Sequence, residues 1–186
     1  MAVPMEIRPM EHGDVDLVLM GLAHHDVRKP RTYIARCWQE NLTGQRTTFL
    51  AFFHGNFAGW GHLVYTSSYL FFRENGIPEI QNFDVTPPFR RQGVGSRLMD
   101  AIEELAFQKS DVIGIGVGLY AAYGAAQRMY IKRGYVPDGR GLMVHYEPVA
   151  AGRSVLVDDD LVLFLTKRRR SEDSGTGNCS GRHSAQ

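Results

Sequence analysis

The sequence predicts a single α/β domain built on a mixed, twisted sheet of six to seven strands flanked by helices. Residues 112–118 have no polar face, which is typical of a parallel strand buried on both sides. Residues 96–109 carry the clearest amphipathic helix, and it lies between that strand and another at residues 79–85.

The N-terminal part of the chain predicts one strand and two helices. Residues 5–10 indicate an edge strand, because Pro9 cannot donate a ladder hydrogen bond in a central one. A helix then begins near Asp14. A second helix over residues 31–41 has its apolar residues on one side. Those residues are Tyr33, Ile34, Cys37 and Trp38.

A hairpin and an aromatic loop follow. Residues 47–53 and 57–65 read as two strands around His54-Gly55-Asn56, which is a good short turn. The loop over residues 66–76 contains Tyr69, Phe71 and Phe72. Because exposing three aromatic rings is costly, these side chains either fold back onto the protein or line a binding surface. The sequence leaves both interpretations open.

The strand at residues 112–118 has glycine at every second position, which leaves one of its faces without side chains. Something must therefore lie close against that face. Two candidates are a tightly packed helix and a part of a ligand. The ligand would enter between this strand and the strand that ends at Val85.

The C-terminal part predicts a short helix, two more strands and a tail. A helix at about residues 125–133 ends on Gly134 as its C-cap glycine. Residues 142–147 and 161–166 are apolar or alternating and predict strands. The domain therefore covers residues 1–167, and residues 168–186, rich in Arg, Ser and Gly, predict a disordered tail.

The composition argues against several classes of protein. The chain has 186 residues, of which 44% are hydrophobic and 22% charged, and its net charge is +1. This balance predicts no nucleic-acid partner and no membrane partner. Two cysteines and scattered histidines predict no metal site and no disulfide framework. We expect a cytoplasmic protein that is a monomer or a homodimer.

The turn between residues 79–85 and the long helix predicts an anion site. It reads Arg90, Arg91, Gln92, Gly93, Val94, Gly95 and Ser96. Glycines let a backbone approach a ligand, and the first turn of a helix offers free N–H groups and a positive dipole end. With two arginines beside it, the turn suits a pyrophosphate. A dinucleotide-binding fingerprint would need a third glycine where Leu98 stands, so that version fails.

The complete string Arg90-x-x-Gly93-x-Gly95, preceded by a strand and Val85-x-Pro87, resembles the acyl-coenzyme A loop of the GNAT superfamily of N-acetyltransferases. A second string resembles another motif of that family through Ala126, Tyr130, Gly134 and Tyr135. The resemblance implies a GNAT-like domain whose central parallel strands splay apart. It also implies acetyl-CoA as co-substrate, and no metal.

The resemblance further implies which residues bind the coenzyme. Backbone groups of the central strand would bond the pantetheine arm and the thioester oxygen, and the turn would bind the diphosphate. In this chain the strand residues are Phe83, Asp84 and Val85, and the turn residues are Arg90 to Ser96 as named above. Tyr123 and Ala126 complete the set. Tyr123 stands where the family commonly has asparagine, so the usual side-chain bond to the coenzyme is in question.

The resemblance implies catalytic roles for Tyr130 and Glu79, and each residue also has a non-catalytic interpretation. Tyr130 matches the family tyrosine that protonates the leaving thiolate, and the alternative is a core tyrosine on an amphipathic helix. Glu79 matches a catalytic glutamate found in some members, and it would share a strand face with Gln81, Phe83 and Val85. An amine that resembles lysine is protonated at neutral pH, so a base is needed. The alternative for Glu79 is an ordinary exposed carboxylate.

The implied function is acetyl-CoA-dependent acetylation of a primary amine by direct attack in a ternary complex. A small-molecule amine is the expected acceptor. A non-catalytic acyl-CoA-binding or regulatory module and a peptide or protein N-acetyltransferase are the alternatives. The acidic run Asp158-Asp159-Asp160 either attracts a cationic acceptor or is a solvated loop.

Overall fold

One mixed sheet with five α-helices makes up the part of the chain that the computed structural model describes, residues 5–25 and 27–169. The strands are β1 Met5–Pro9, β2 Arg46–Phe53, β3 Asn56–Val64, β4 Glu79–Val85, β5 Val112–Gly118, β6 Val136–Val144, β7 Glu147–Pro148 and β8 Leu161–Arg168. The helices are α1 Asp14–Ala23, α2 Arg31–Leu42, α3 Leu70–Glu74, α4 Val94–Lys109 and α5 Gly124–Lys132. The predicted tail covers residues 168–186, and from residue 170 onward it lies outside the described residues.

The sheet has eight strands in the order β1-β2-β3-β4-β5-β8-β6-β7. Only β4 and β5 pair in parallel, and every other neighbouring pair is antiparallel. The predicted α/β class, the mixed sheet and the edge position of the first strand are therefore confirmed. The strand count is one higher than predicted, because the two-residue β7 is too short to leave a periodic pattern.

A β-bulge in β4 parts the two central strands. Between the pairs His62–Gln81 and Trp60–Asp84, two residues of β4 oppose one residue of β3. Asn82 adopts φ 45°, in the left-handed region that asparagine tolerates better than most residues. Beyond this point β4 no longer pairs with β5, since their ladder consists of residues 79 and 80 against 114 and 115. The predicted splay of the central parallel strands is confirmed.

The same bulge changes which side chains share a face of β4. Phe83 and Val85 pack with the core under α4, beside Leu98. Asp84 is paired with Trp60, which belongs to the opposite core under α1 and α2. The prediction that Glu79 shares a face with Phe83 and Val85 is therefore wrong. One inserted residue reverses the alternation, so Asp84 joins Gln81 on that face instead.

Aromatic rings, rather than a tightly packed helix, lie close against the glycine face of β5. A Cβ atom added to Gly114 would lie 2.2 Å from the ring of Phe72, and one added to Gly118 would lie 2.5 Å from the ring of Tyr123. Phe72 is fully buried, and Tyr69 stacks on Phe164 with ring centroids 3.9 Å apart. The rings of Tyr69 and Phe72 therefore fold back onto the protein, which is one of the two interpretations that the sequence left open.

A buried carboxylate ties three elements together. Glu103 on α4 accepts hydrogen bonds from Arg133 Nε at 3.0 Å and Nη2 at 2.7 Å, and from Lys167 Nζ on β8 at 2.7 Å. Burial by itself would raise the pKa of Glu103, but these hydrogen bonds and charges outweigh it and hold the pKa below its usual range. The ionised carboxylate therefore stabilises the fold.

We expect Glu103→Gln to lower the free energy of unfolding by roughly 3 kcal/mol at neutral pH, since Lys167 loses its ionised partner and Arg133 keeps only the more exposed Asp100. Because the folded-state pKa is lowered, this stability is present above the unfolded pKa of about 4.3 and is lost as the pH falls through the folded value. Urea unfolding at several pH values measures both effects. The exposed neighbour supplies the control, Glu104→Gln, with a change within about 0.5 kcal/mol. A deficit that stays constant down to low pH would contradict the assignment.

Among the described helices, none has the length and apolar character needed to span a bilayer.

Candidate functional site

A cleft of about 590 Å³ opens where β4 and β5 part. Its walls include residues 79–84 of β4 and Ile115, Gly116 and Gly118 of β5. Tyr120, Tyr123 and Tyr130 follow β5 in the chain and close one side, and Asp159 and Lys29 reach the cleft from two separate loops. The cleft therefore brings together five of the predicted site residues: Glu79, Phe83, Asp84, Tyr123 and Tyr130.

The turn before α4 presents backbone N–H groups to solvent. Gly93 is the N-cap residue with φ 85°, a left-handed conformation in which glycine is unstrained, and Arg91 also has a positive φ of 59°. Within the described residues, no side chain caps this helix end. The first N–H groups of α4, at Val94, Gly95 and Ser96, therefore remain available to an anion, with the positive end of the helix dipole behind them.

Two side chains of the turn brace it. Arg90 Nε donates to the carbonyl oxygen of Val85 at 2.7 Å, and its guanidinium lies 3.9 Å from the Asp84 carboxylate. Gln92 Nε2 donates to the carbonyl oxygen of Pro88 at 2.7 Å. Arg91 and Ser96 are exposed beside the helix end. Arg91, two residues before Gly93, has no side-chain hydrogen bond or ion pair within the described residues.

Glu79 is a buried carboxylate, and one of its two oxygen atoms accepts two hydrogen bonds. It is 4% exposed and accepts hydrogen bonds from Ser67 Oγ at 2.5 Å and from Gln81 Nε2 at 2.8 Å. Both bonds fall on Oε2, so Oε1 receives no hydrogen bond within the described residues. Burial raises the pKa of Glu79 above its usual value, although the two hydrogen bonds oppose the rise. A carboxylate in this state accepts a proton more readily than an exposed one.

Tyr130 reaches the cleft from α5 with its ring buried. It is 4% exposed, and its hydroxyl makes no hydrogen bond within the described part of the chain. Burial raises the pKa of Tyr130, and the nearby charge of Asp84 raises it further. The hydroxyl is therefore protonated at neutral pH and is able to donate that proton. Ala126, one turn earlier on α5, packs against the core and does not line the cleft.

Asp159 lines the cleft, whereas the sequence left its acidic run open between attraction of a cationic acceptor and a solvated loop. It accepts hydrogen bonds from the hydroxyls of Tyr123, at 2.9 Å, and Tyr120. These bonds raise the pKa of Tyr120, while for Tyr123 burial is the larger cause. The loop reaches the cleft because β8 pairs with β5, with Val162 opposite Gly118. This placement follows from the order of the strands in the sheet, which could not be predicted from the sequence.

A second cleft of about 660 Å³ adjoins the first one, and Gln81 and Asn82 line both. Its other wall comes from α2 and from the start of β2, with Arg36, Glu40 and Arg46 among its residues. The hydroxyl of Tyr33 accepts a hydrogen bond from Asn82 Nδ2 at 2.5 Å, at the boundary between the two clefts. Reasoning from the sequence gave Arg46 no role.

The combined geometry defines what this region can do. It holds a buried carboxylate and a buried phenol in one cleft, beside a stretch of β4 that does not pair with β5 and near a helix end whose amides suit an anion. No group of three or more metal-ligating side chains comes together within residues 5–25 and 27–169. The arrangement suits a long ligand that carries phosphate at one end and a reactive group at the other.

Comparison with known proteins agrees with this geometry. The family model described as "Acetyltransferase (GNAT) family" matches residues 19–135, a range that contains β4, the turn, α4, β5 and α5. No curated protein sequence matches the chain.

Solved structures of low sequence identity share the fold. An acetyl transferase from Salmonella typhimurium that modifies the N-terminal serine of a ribosomal subunit protein has a TM-score of 0.67 at 12% identity, covering 91% of this chain and 97% of that one. The yncA protein of Salmonella typhimurium, solved with its cofactor acetyl-CoA, has a TM-score of 0.63 at 19% identity, covering 94% and 99%. A chimeric spermidine N-acetyltransferase from Vibrio cholerae and hSSAT has a TM-score of 0.63 at 14% identity, covering 88% and 95%.

Proposed function

The chain belongs to the acetyltransferase (GNAT) family and is an acyltransferase, and on that premise we propose that it moves the acetyl group of acetyl-CoA to a primary amine of a small molecule. The observation that carries the proposal is the meeting of Glu79 and Tyr130 in one cleft at the point where β4 and β5 part. The two residues are far apart in the chain, and burial raises the pKa of both, which suits Glu79 to accept a proton and keeps Tyr130 protonated.

The diphosphate of acetyl-CoA binds the free amides of Val94, Gly95 and Ser96. The uncapped end of α4 and the left-handed Gly93 support this placement, because a side chain at either feature would occupy the space that an anion needs. Arg91 adds a charge at the rim. Arg90 and Gln92 act indirectly, by holding the turn in shape.

The pantetheine arm then runs along the unpaired part of β4. Backbone groups of Phe83, Asp84 and Val85 are free of β5, because the ladder between the two strands ends at Ile80 and Ile115. An extended chain with amide groups can pair with such an edge as an added strand would. This path directs the thioester toward Tyr130.

The chemistry proceeds by direct attack. Glu79, acting directly or through a water, takes a proton from the ammonium group of the acceptor, and the free amine attacks the thioester carbonyl carbon. The new C–N bond forms, the C–S bond breaks, and Tyr130 gives its proton to the departing thiolate. The second proton of the attacking nitrogen leaves as the amide forms and restores the Tyr130 hydroxyl, directly or through a water. Cys37 is not a nucleophile in this scheme, because it is fully buried and burial raises its pKa.

A thiol-release assay with acetyl-CoA and a panel of primary amines tests the proposal. We expect thiol release that depends on both substrates and a matching amount of acetylated amine. Tight binding of acetyl-CoA without any turnover would instead favour a non-catalytic acyl-CoA-binding module. Turnover with peptides alone would favour a peptide N-acetyltransferase.

The anion site makes a separate prediction. We expect Arg91→Gln to raise the Kd of acetyl-CoA roughly 10-fold, because one charge-assisted contact to the diphosphate is lost. Acetyl-pantetheine, which has no diphosphate, should bind both proteins equally. Isothermal titration measures both affinities, and Arg73→Gln, at an exposed arginine outside both clefts, is the matched control. An equal loss for both ligands would contradict the assignment of Arg91 to the diphosphate.

A further inference from the structure

The second cleft has an excess of positive charge. Arg46 is buried, with 8% of its surface exposed, and its Nε atom lies 2.5 Å from Glu40 Oε2. Arg36 Nε lies 3.6 Å from the other oxygen of the same carboxylate. One carboxylate thus faces two guanidinium groups, so the described lining of the cleft carries one positive charge in excess. A buried arginine is costly to keep unless its charge is balanced or used.

The other titratable groups around Arg46 do not balance that charge. Cys37 accepts a hydrogen bond from Arg46 Nη1 at 3.3 Å, but burial keeps the thiol neutral by raising its pKa. Burial, reinforced by the charges of Arg46 and Lys29, lowers the pKa of His62, so that imidazole is neutral as well. Tyr33 is a neutral phenol with a raised pKa. Among the described residues that line this cleft, the charge balance is therefore set by Arg36, Glu40 and Arg46.

Gln81 joins the second cleft to the catalytic carboxylate. Its side chain lines both clefts, and its Nε2 atom donates to Glu79 Oε2 at 2.8 Å. Ser68, in the wall of the second cleft, follows Ser67, which donates to the same oxygen. A molecule that spans this boundary can present one end to Glu79 and the other end to Arg46.

We propose that the second cleft binds a carboxylate of the acceptor, so that the acceptor is an amino acid: a primary amine delivered to Glu79 and a carboxylate held by Arg46 and Arg36. This inference rests on the proposed function and adds the acceptor class to it. Arginine suits the task because its planar guanidinium pairs with a carboxylate through two parallel hydrogen bonds, and Glu40 and Cys37 occupy only some of its N–H donors. A competing acceptor would be a dication attracted by Asp159. It is less favoured because Tyr120 and Tyr123 already donate to that carboxylate. The positive charge of Lys29 in the same cleft also opposes a cation.

The test compares amino acids with their amides. The acceptors are straight-chain amino acids from glycine to δ-aminovalerate, each assayed beside the amide in which the carboxylate is neutralised. Rates are expressed per unprotonated amine, because the amide shifts the pKa of a nearby amino group. We expect kcat/KM for the best amino acid to exceed that of its amide by roughly 10- to 100-fold.

Substitutions of the two arginines show whether the second cleft produces the preference for amino acids over amides. Arg46→Gln should reduce the ratio of the two kcat/KM values by roughly 10-fold or more, and Arg46→Lys should restore part of it. Because a buried substitution can disturb folding, Arg36→Gln is the second variant. Its side chain is 62% exposed, and it should reduce the same ratio by a smaller factor. Arg73→Gln, at an exposed arginine remote from the cleft linings, should keep the wild-type ratio.

The outcomes separate this inference from the proposed function. Amides or diamines that react as well as amino acids would overturn the inference and leave the acetyltransferase activity in place. If no amine is acetylated, the proposed function fails first, and a binding measurement then decides the inference. In the presence of CoA, N-acetyl amino acids should raise the melting temperature of the wild type more than N-acetyl amides do. Equal shifts for the two kinds of compound would overturn the inference.

Discussion

Replacing Tyr130 with phenylalanine is expected to lower kcat by roughly 100-fold or more, which is the usual contribution of a positioned general acid. The leaving thiolate has an ordinary pKa of about 8.5, and a phenol whose pKa is raised can protonate it without being ionised beforehand. Because burial and Asp84 raise the pKa of Tyr130, the donor stays protonated over the whole neutral range. The hydroxyl has no other bond in the described residues, so its loss should not disturb packing.

Two measurements make this prediction specific. The Kd of acetyl-CoA should be the same for Tyr130→Phe and the wild type, because the hydroxyl acts on the departing sulfur and not on the diphosphate. Tyr135→Phe is the matched control, since Tyr135 is equally buried and its ring centroid lies 5.9 Å from that of Tyr130, but it is absent from the cleft lining. An unchanged kcat in Tyr130→Phe would remove the acid assignment.

Replacing Glu79 with glutamine is expected to lower kcat by roughly 100-fold near neutral pH and to change the pH profile. Only the ionised carboxylate is a base, and its pKa is raised, so the wild-type rate falls as the pH drops through a value above the usual carboxyl range. Glutamine cannot titrate, so this acidic limb should vanish. The deficit should then narrow as the pH rises toward the pKa of the amine, where free amine forms without help.

Asp84→Asn is the companion variant, because Asp84 is the other carboxylate on the same face of β4. Burial raises its pKa too, while Arg90 and Lys29 lower it. Steady-state rates from acidic to alkaline pH should show the acidic limb retained in Asp84→Asn and lost in Glu79→Gln. The reverse pattern would make Asp84 the base and would overturn the role proposed for Glu79.

The sequence predicted the parts of the fold that depend on local patterns. The stripe of apolar residues in α4, the fully apolar β5 and the glycine-bearing turn each leave a signal within one element. The turn before α4 was also predicted, by resemblance, to bind the coenzyme, because its glycines and arginines stand at fixed spacing. These elements are where the structure has them to within a few residues.

The sequence did not predict the bulge at Asn82, since a strand with one extra residue still reads as an unbroken strand. The periodicity of β4 therefore assigned Phe83 and Val85 to the face of Glu79, and the structure has them under α4. A glycine at this position would have indicated a bulge, whereas asparagine tolerates the positive φ without that signal.

Placements that depend on strand order were also beyond the sequence. Asp159 reaches the cleft because β8 lies beside β5, and Arg46 faces the second cleft because α2 packs over β2. The contact of Phe72 with Gly114 likewise joins segments that are about forty residues apart in the chain. Each of these placements requires the tertiary arrangement, because no local spacing encodes it.

A crystal structure of the protein with bound acetyl-CoA tests the central claim most directly. We predict diphosphate oxygens within about 3 Å of the amide nitrogens at residues 94–96, and a thioester between β4 and β5 with its sulfur in hydrogen-bond reach of the Tyr130 hydroxyl. A coenzyme whose diphosphate lies away from the start of α4, or whose acetyl group lies outside the cleft that contains Glu79 and Tyr130, would contradict the account.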